Sequence, residues 1–370
     1  MDLQPFLLDE WLSAHDFATP PIRYNLAAST GPPWTLGHLK ALGDEDSKKA
    51  LETMRVAYSP AAGTKALRQR IADFHNADPE WVAVTTGASE ALLALFCVVA
   101  EPGGSIVLPA PVFPAMPVMA RAWGMSVKPY TLSRDNGFEQ TAAQVLAVVD
   151  ATTRLVLVNT PHSPTGSVMA VAELTKLAEA LAARGIPLAV DEVYHPLYFN
   201  EPRPSAAVLP NTIVLNDMSK ALSLPGLRTG WLIDRDAKRR KRLINARSYF
   251  TISSSPILEA LATTALTARG AILSRLDSVA RANLALLDGL MHEHRSVLQW
   301  VRPVGGTVSF PWFVDGRDSR PFCEALAKAG VLVAPGDCFE APAHFRLGFG
   351  GQESRFQDPL TIFSRVLAAQ

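Results

Sequence analysis

Lys220 lies in the run Asn216-Asp217-Met218-Ser219-Lys220-Ala221-Leu222-Ser223-Leu224-Pro225-Gly226-Leu227-Arg228-Thr229-Gly230-Trp231. Apolar Met218 and Leu222 flank it, and an unpaired ammonium is costly away from water. Giving up the proton lowers that cost, and a neutral amine is the nucleophile that Schiff-base chemistry needs. Three other stretches offer complementary chemistry. Asp191 follows the apolar run Ile186 to Val190, where a carboxylate is costly unless a cation pairs with it. Gly87-Ala88-Ser89 joins a strand-like run to a helix-like one, and the free N–H groups of a helix start favour an anion such as phosphate. Arg346 stands among Phe345, Leu347 and Phe349, and its planar guanidinium fork suits a carboxylate.

Other chemistries find less support. His292 and His294 are two apart on a helix-like segment and do not face one another, so no metal set is expected. Neither G-x-x-x-x-G-K-[ST] nor G-x-G-x-x-G occurs, so nucleotide binding has no comparable signal. Cys97, Cys323 and Cys338 are odd in number and lack C-x-x-C spacing, which argues for a reducing compartment rather than a disulfide framework or a zinc site. Lys plus Arg and Asp plus Glu number 35 each, leaving no electrostatic reason to expect nucleic acid or an anionic membrane. The basic run Lys238-Arg239-Arg240-Lys241-Arg242 reads as a solvated helix face. The longest apolar run, Ala91 to Ala100, is too short for a bilayer. The start Met1-Asp2-Leu3-Gln4 carries no signal-peptide pattern, so a cytoplasmic location is expected.

The elements that must position these groups follow from pattern. The 370 residues allow one large and one smaller domain, and 48% apolar with 19% charged residues is ordinary for a globular chain. Apolar spacing marks helices over Phe6 to Phe17, Asp44 to Tyr58, Glu90 to Ala100, Arg235 to Arg247, Pro256 to Ala268, Leu273 to Glu293 and Pro321 to Ala329. Strands are expected over Trp81 to Thr86, Ser105 to Leu108, Leu155 to Val158, Ile186 to Val190, Asn211 to Leu215, Val331 to Ala334 and Phe345 to Phe349. The small residues of Asn25 to Pro33 suit a loop that lets backbone approach a ligand. His162 reads as an exposed loop histidine.

Taken together, Ser219-Lys220, Leu224-Pro225-Gly226-Leu227-Arg228, Asp191–Tyr194 and Asn159-Thr160-Pro161-His162-Ser163-Pro164-Thr165-Gly166 resemble the fold-type I pyridoxal-phosphate (PLP) enzymes, the aminotransferase class I/II family. The resemblance runs from Tyr58 to Arg346. It implies an α/β fold of the PLP-dependent transferase type: a large domain over residues 41–280 with a mostly parallel seven-stranded sheet flanked by helices. A smaller α+β domain is built from residues 1–40 and 281–370. It implies that Lys220 forms the Schiff base with PLP and acts as general base, and that Ser219 is among the cofactor contacts. Asp191 pairs with the protonated pyridine nitrogen, which keeps the ring able to withdraw electrons. Tyr194 bonds the phenolic oxygen, Gly87, Ala88, Ser89 and Arg228 hold the phosphate, and Phe113 covers the ring. Arg346 takes the substrate α-carboxylate. Tyr58, in Y-x-P-x-x-G-x-x-x-L-R, reaches the site of the partner subunit in a homodimer.

Two positions depart from the family pattern. Ser163 replaces the second asparagine of N-x-P-x-N-P-T-G, a contact of the phenolic oxygen. Asp217 stands where Ser or Thr donates to the phosphate; it would repel that dianion, so it is placed outside the site.

The resemblance implies an aminotransferase moving an amino group from an amino acid to a 2-oxo acid. The alternative is a PLP-dependent lyase or cyclase acting on one amino acid, because Ser248 to Pro256 and the Gly305-Gly306 strand look similar to capreomycidine synthase, a cyclising relative. A ligand sensor with a DNA-binding head is a third reading; it would need a basic helix-turn-helix segment ahead of the fold, and the N-terminus is short and not basic.

Overall fold

The computed structural model describes residues 3–370; Met1 and Asp2, part of the signal-peptide reading, lie outside them. Seven strands form one sheet in the spatial order Val82–Thr85, Gly230–Asp234, Thr212–Asp217, Leu188–Asp191, Thr153–Asn159, Ser105–Ala110, Ser126–Thr131. Gly230–Asp234 runs antiparallel to both of its neighbours, and the other six strands point the same way. A parallel sheet needs apolar side chains on both faces, and the sequence supplies them. Val156 and Val158 enter one cluster while Leu155 and Leu157 enter another, all fully buried. Ile213 and Leu215 likewise oppose Val214, as the two-residue strand period requires. Helices Gly87–Val99 and Ala237–Phe250 cover one face, with Leu95, Phe96 and Leu243 buried against it.

The strand register sets the site. Asn159 lies opposite Asp191, and Asp191 opposite Leu215, at the carboxyl ends of three parallel strands. Those ends are where open α/β sheets bind ligands. Asp217 faces Gly230, which faces Thr85 on its other side, so three chain segments converge beside the Gly87 helix start.

A second group of short strands joins the chain ends. Tyr24–Asn25 pairs with Val331–Leu332. Phe345–Gly348 is the central strand between Val308–Ser309 and Ala334–Pro335. Trp11 Nε1 donates to the Val333 carbonyl at 2.9 Å, fixing helix Leu7–Asp16 to this group. Among the described residues no single helix is long and apolar enough to cross a membrane.

Four expectations need correction. The helix expected to reach Tyr58 covers Glu45–Glu52 and buries no residue; without tertiary contacts a two-turn helix has little to extend it. Tyr58 lies beyond it and is 82% exposed. The helix expected from Glu90 starts at Gly87, because the Glu90 carboxylate reaches back to accept from Thr86 N at 2.5 Å. The strand expected over Val331 to Ala334 divides at Val333, its halves pairing with different partners. His162 is fully buried, because the turn closes on itself: Gly166 N donates to the His162 carbonyl at 2.7 Å, and His162 N to that of Ser167 at 2.8 Å.

Candidate active site

Lys220 follows the Thr212–Asp217 strand and points its Nζ at Ser29, donating to Oγ at 2.8 Å. Ser29 belongs to the small-residue loop, 191 positions earlier. Burial lowers the Lys220 pKa to about 8; Asp217 and Asp191 oppose the shift, while Arg346 and Arg228 add to it. An amine in this range is deprotonated far more often than a surface lysine.

Asp191 behaves conversely. It is buried, one oxygen accepts from Val193 N at 3.1 Å, and its pKa rises to about 7. Burial dominates that shift, and the negative charge of Asp217 adds to it against the pull of Lys220. Such a carboxyl gains from a cation brought against it. Asn159, quoted in the sequence motif without a role, holds this corner. Its Nδ2 donates to the Asp191 carbonyl at 3.0 Å, and its Oδ1 accepts from Ser163 N at 2.7 Å. A polar residue ending an apolar strand was the available signal. For Ser29 the signal was its place in the small-residue loop Asn25 to Pro33, but only folding brings it to Lys220.

Tyr194 is 1% exposed. Burial raises its pKa, while Arg346 and the hydroxyls of Ser29 and Ser163 pull it back. Arg346 is 3% exposed, and Nη2 donates to the Ala27 carbonyl at 2.8 Å. Its Nε has no partner among the described residues, and the guanidinium lies 5.1 Å from the Phe339 ring centre. Burial lowers its pKa. A guanidinium has five donors, and this one leaves most of them for a ligand.

At the other end, the Gly87 helix start meets Arg228. Gly87 has φ +74°, and a Cβ there would lie 2.7 Å from Arg228 Nη2, so glycine is what lets the guanidinium approach the free amides. Arg228 itself adopts φ 42° and is exposed. Ser89 is exposed on the first helical turn. Phe113 is half-buried, and the Phe6 ring meets it edge-on at 5.7 Å. Tyr58 is on the outer surface, and nothing in one chain links it to Lys220.

Asp217, placed outside the site from the sequence, lies against the Gly87 helix start. Its carboxylate accepts from Ala88 N at 3.4 Å, from Ser219 N at 2.8 Å and from Ser219 Oγ at 2.9 Å. Gly230 makes this possible: a Cβ there would be 2.4 Å from the Gly87 carbonyl carbon, so the strand carrying Asp217 packs directly on the cradle. The Ser219 hydroxyl is thereby committed to Asp217.

Behind Asp191, His75, Glu192 and His195 offer ligand atoms within 4.8 Å of one another. Trp231 Nε1 donates to His75 Nε2 at 3.0 Å, so the other ring nitrogen carries the proton, facing Ser205 Oγ at 2.9 Å and Glu192 at 3.4 Å. Glu192 also accepts from Ser205 Oγ at 2.7 Å and Ala206 N at 2.6 Å. The tautomer leaves His75 no lone pair for an ion; this is a hydrogen-bonded brace for the strand end.

The chain as a whole is similar to known proteins. A profile of the family "Aminotransferase class I and II" matches residues 37–358. Capreomycidine synthase of Streptomyces vinaceus is 30% identical over 377 aligned positions, covering 97% of this chain and 93% of that protein. Aspartate/prephenate aminotransferase of Thermus thermophilus is 30% identical, covering 87% and 86%. Among solved structures, a PLP-dependent aminotransferase from Streptococcus suis superposes with TM-score 0.92 at 27% identity, covering 100% of this chain and 99% of that one. The PLP-dependent cyclase OrfR gives 0.89 at 27%, covering 100% and 98%. The chain therefore belongs to the aminotransferase class I and II family, whose cofactor is pyridoxal 5'-phosphate.

Proposed function

We propose that the chain is an amino-acid aminotransferase that uses Lys220 as the amine joined to the coenzyme. The observation that supports this best is one buried cluster in which a lysine of lowered pKa feels both a carboxyl of raised pKa and a buried arginine with unspent donors. The residues fit pyridoxal 5'-phosphate. The Gly87 helix start with Arg228 against it is built for an anion, and Asp191 needs a cation. Bound there, the coenzyme supplies an aldehyde that condenses with amines and a ring that withdraws electrons.

The rest is the protein's contribution. Asp191 holds a proton against the ring nitrogen, and Asn159 keeps the backbone of Asp191 and Ser163 in register. Tyr194, with Ser163 and Ser29 near its hydroxyl, donates to the phenolic oxygen. Phe113 covers the ring. Arg346 fixes the substrate carboxylate, so that the α-hydrogen faces Lys220 Nζ, which takes and returns the proton. Tyr58, exposed on the surface, contacts the second site of a homodimer. Incubation with single amino acids tests the reaction: conversion of the coenzyme's visible absorption to that of the amine form is expected, with reversal by a 2-oxo acid.

A second reading, elimination or cyclisation on one amino acid, is favoured by the extent of similarity to capreomycidine synthase and by Ser163 at a position where the family has asparagine. It predicts product formation with no accumulation of the amine form.

Two outcomes follow from the geometry. Arg346→Ala is expected to lower kcat/KM by roughly 10²-fold, chiefly through KM, since two charge-assisted bonds to a carboxylate are lost; steady-state kinetics with one amino acid reads this. Asp217→Asn removes a negative charge from beside the Ala88 amide. Coenzyme affinity is expected to rise about tenfold, or about 1.4 kcal/mol. A fluorescence titration that finds weaker binding would contradict the role given to Asp217.

A further inference from the structure

We propose that the substrate is an amino acid with a large uncharged aromatic side chain, and that this side chain enters a cavity between the N-terminal segment, helix Ala115–Ala122 and the loop 337–344. This rests on the aminotransferase-family reading of the same site. The cavity measures about 780 Å³. It shares walls with both ends of the reaction site. Phe339, which lines it, lies over the Arg346 guanidinium. Phe6, which also lines it, meets Phe113 edge-on. The side chain of a substrate held by its carboxylate on Arg346 would reach this cavity past Phe339.

The walls select by chemistry. The buried part is apolar, formed by Leu132, Phe138, Phe310 and Phe339, each no more than 3% exposed. The charged residues are of two kinds. Arg121, Arg134, Asp135 and Glu340 are exposed at the rim, two of each sign. Asp337 is already paired with Arg320 at 2.6 Å. A charged side chain would lose water here without finding a buried counter-ion. A methyl group would leave most of the cavity empty and forfeit the contacts that an aromatic ring makes.

Among the neutral polar residues of the lining, His344 is the aromatic one. His344 lines the cavity with its ring stacked on Phe310 at 4.5 Å. Its Nδ1 is 3.1 Å from the Phe310 carbonyl, which can only accept, so Nδ1 carries the proton and Nε2 is an acceptor. Burial holds the ring neutral, with a pKa of about 4. The pocket thus offers a neutral acceptor rather than a charge.

The test is a panel of phenylalanine, tyrosine, tryptophan, alanine, arginine and aspartate on the coenzyme-loaded protein, following spectral change and kcat/KM. The aromatic three are expected to exceed the others by at least 100-fold. Val118 lines the cavity from the helix and takes no part in the chemistry. Val118→Trp, with its fold verified by circular dichroism, is expected to raise KM for phenylalanine at least tenfold and leave alanine within twofold. Preference for arginine or aspartate, or equal loss for phenylalanine and alanine in the variant, overturns the proposal while the aminotransferase-family reading stands. If none of them changes the spectrum, the proposed aminotransferase activity falls and this proposal with it.

Discussion

Lys220→Met is expected to lower turnover by at least ~10⁴-fold, because it removes the proposed nucleophile and the proposed general base at one atom. The same change makes the coenzyme-free protein more stable. The sign follows from the lowered pKa. The folded lysine binds its proton less tightly than the unfolded one, 8 against 10.5. Below about pH 8 the whole penalty of burying the ammonium is present; it eases as pH rises from 8 to 10.5. A thioether of similar length carries no such penalty, so a gain of up to about 3 kcal/mol is expected at pH 7. Thermal unfolding of the coenzyme-free proteins at pH 7 and pH 10 checks this. A variant that loses stability at pH 7 would contradict the burial argument.

Asp191→Asn is the second large effect. Turnover is expected to fall ~10³-fold, equivalent to about 4 kcal/mol of transition-state stabilisation, since an amide cannot hold the ring nitrogen protonated. In the coenzyme-free protein the sign is again the reverse. Asp191 titrates near 7 when folded and 3.8 when unfolded, so the folded chain binds the proton more tightly. The penalty is absent below about pH 4, grows from 4 to 7 and is complete above 7. Asn therefore stabilises the coenzyme-free form above pH 7, by up to about 4 kcal/mol, and does little at pH 4. Coenzyme binding is expected to stabilise the wild type more than the variant, because the ring cation meets a charge only in the former. Unfolding midpoints against pH, with and without coenzyme, separate these cases.

Both predictions concern residues that oppose folding and are proposed to serve the reaction, and those were the residues the sequence displayed best. A lysine between Met218 and Leu222 and an aspartate after Ile186 to Val190 contradict their surroundings, so each stood out. The sheet was legible for a related reason: strands such as Leu155 to Val158 are apolar on both faces, which only a covered parallel sheet permits. What escaped was non-local. Ser29 meets Lys220, and Asp217 meets Ala88, through strand order and a close approach at Gly230; local spacing carries no trace of either. Asp217 was placed by weighing its charge against a phosphate, while the Ala88 donor that receives its carboxylate comes from a distant segment. His162 was read as exposed because a loop of small and polar residues usually is, yet two backbone bonds turn it inward.

The most direct measurement is borohydride reduction of the protein mixed with pyridoxal 5'-phosphate, followed by peptide mass spectrometry. The account predicts loss of visible absorbance and a coenzyme label on the peptide containing Lys220 and on no other lysine. A label on a different lysine, or an unlabelled protein, would contradict it.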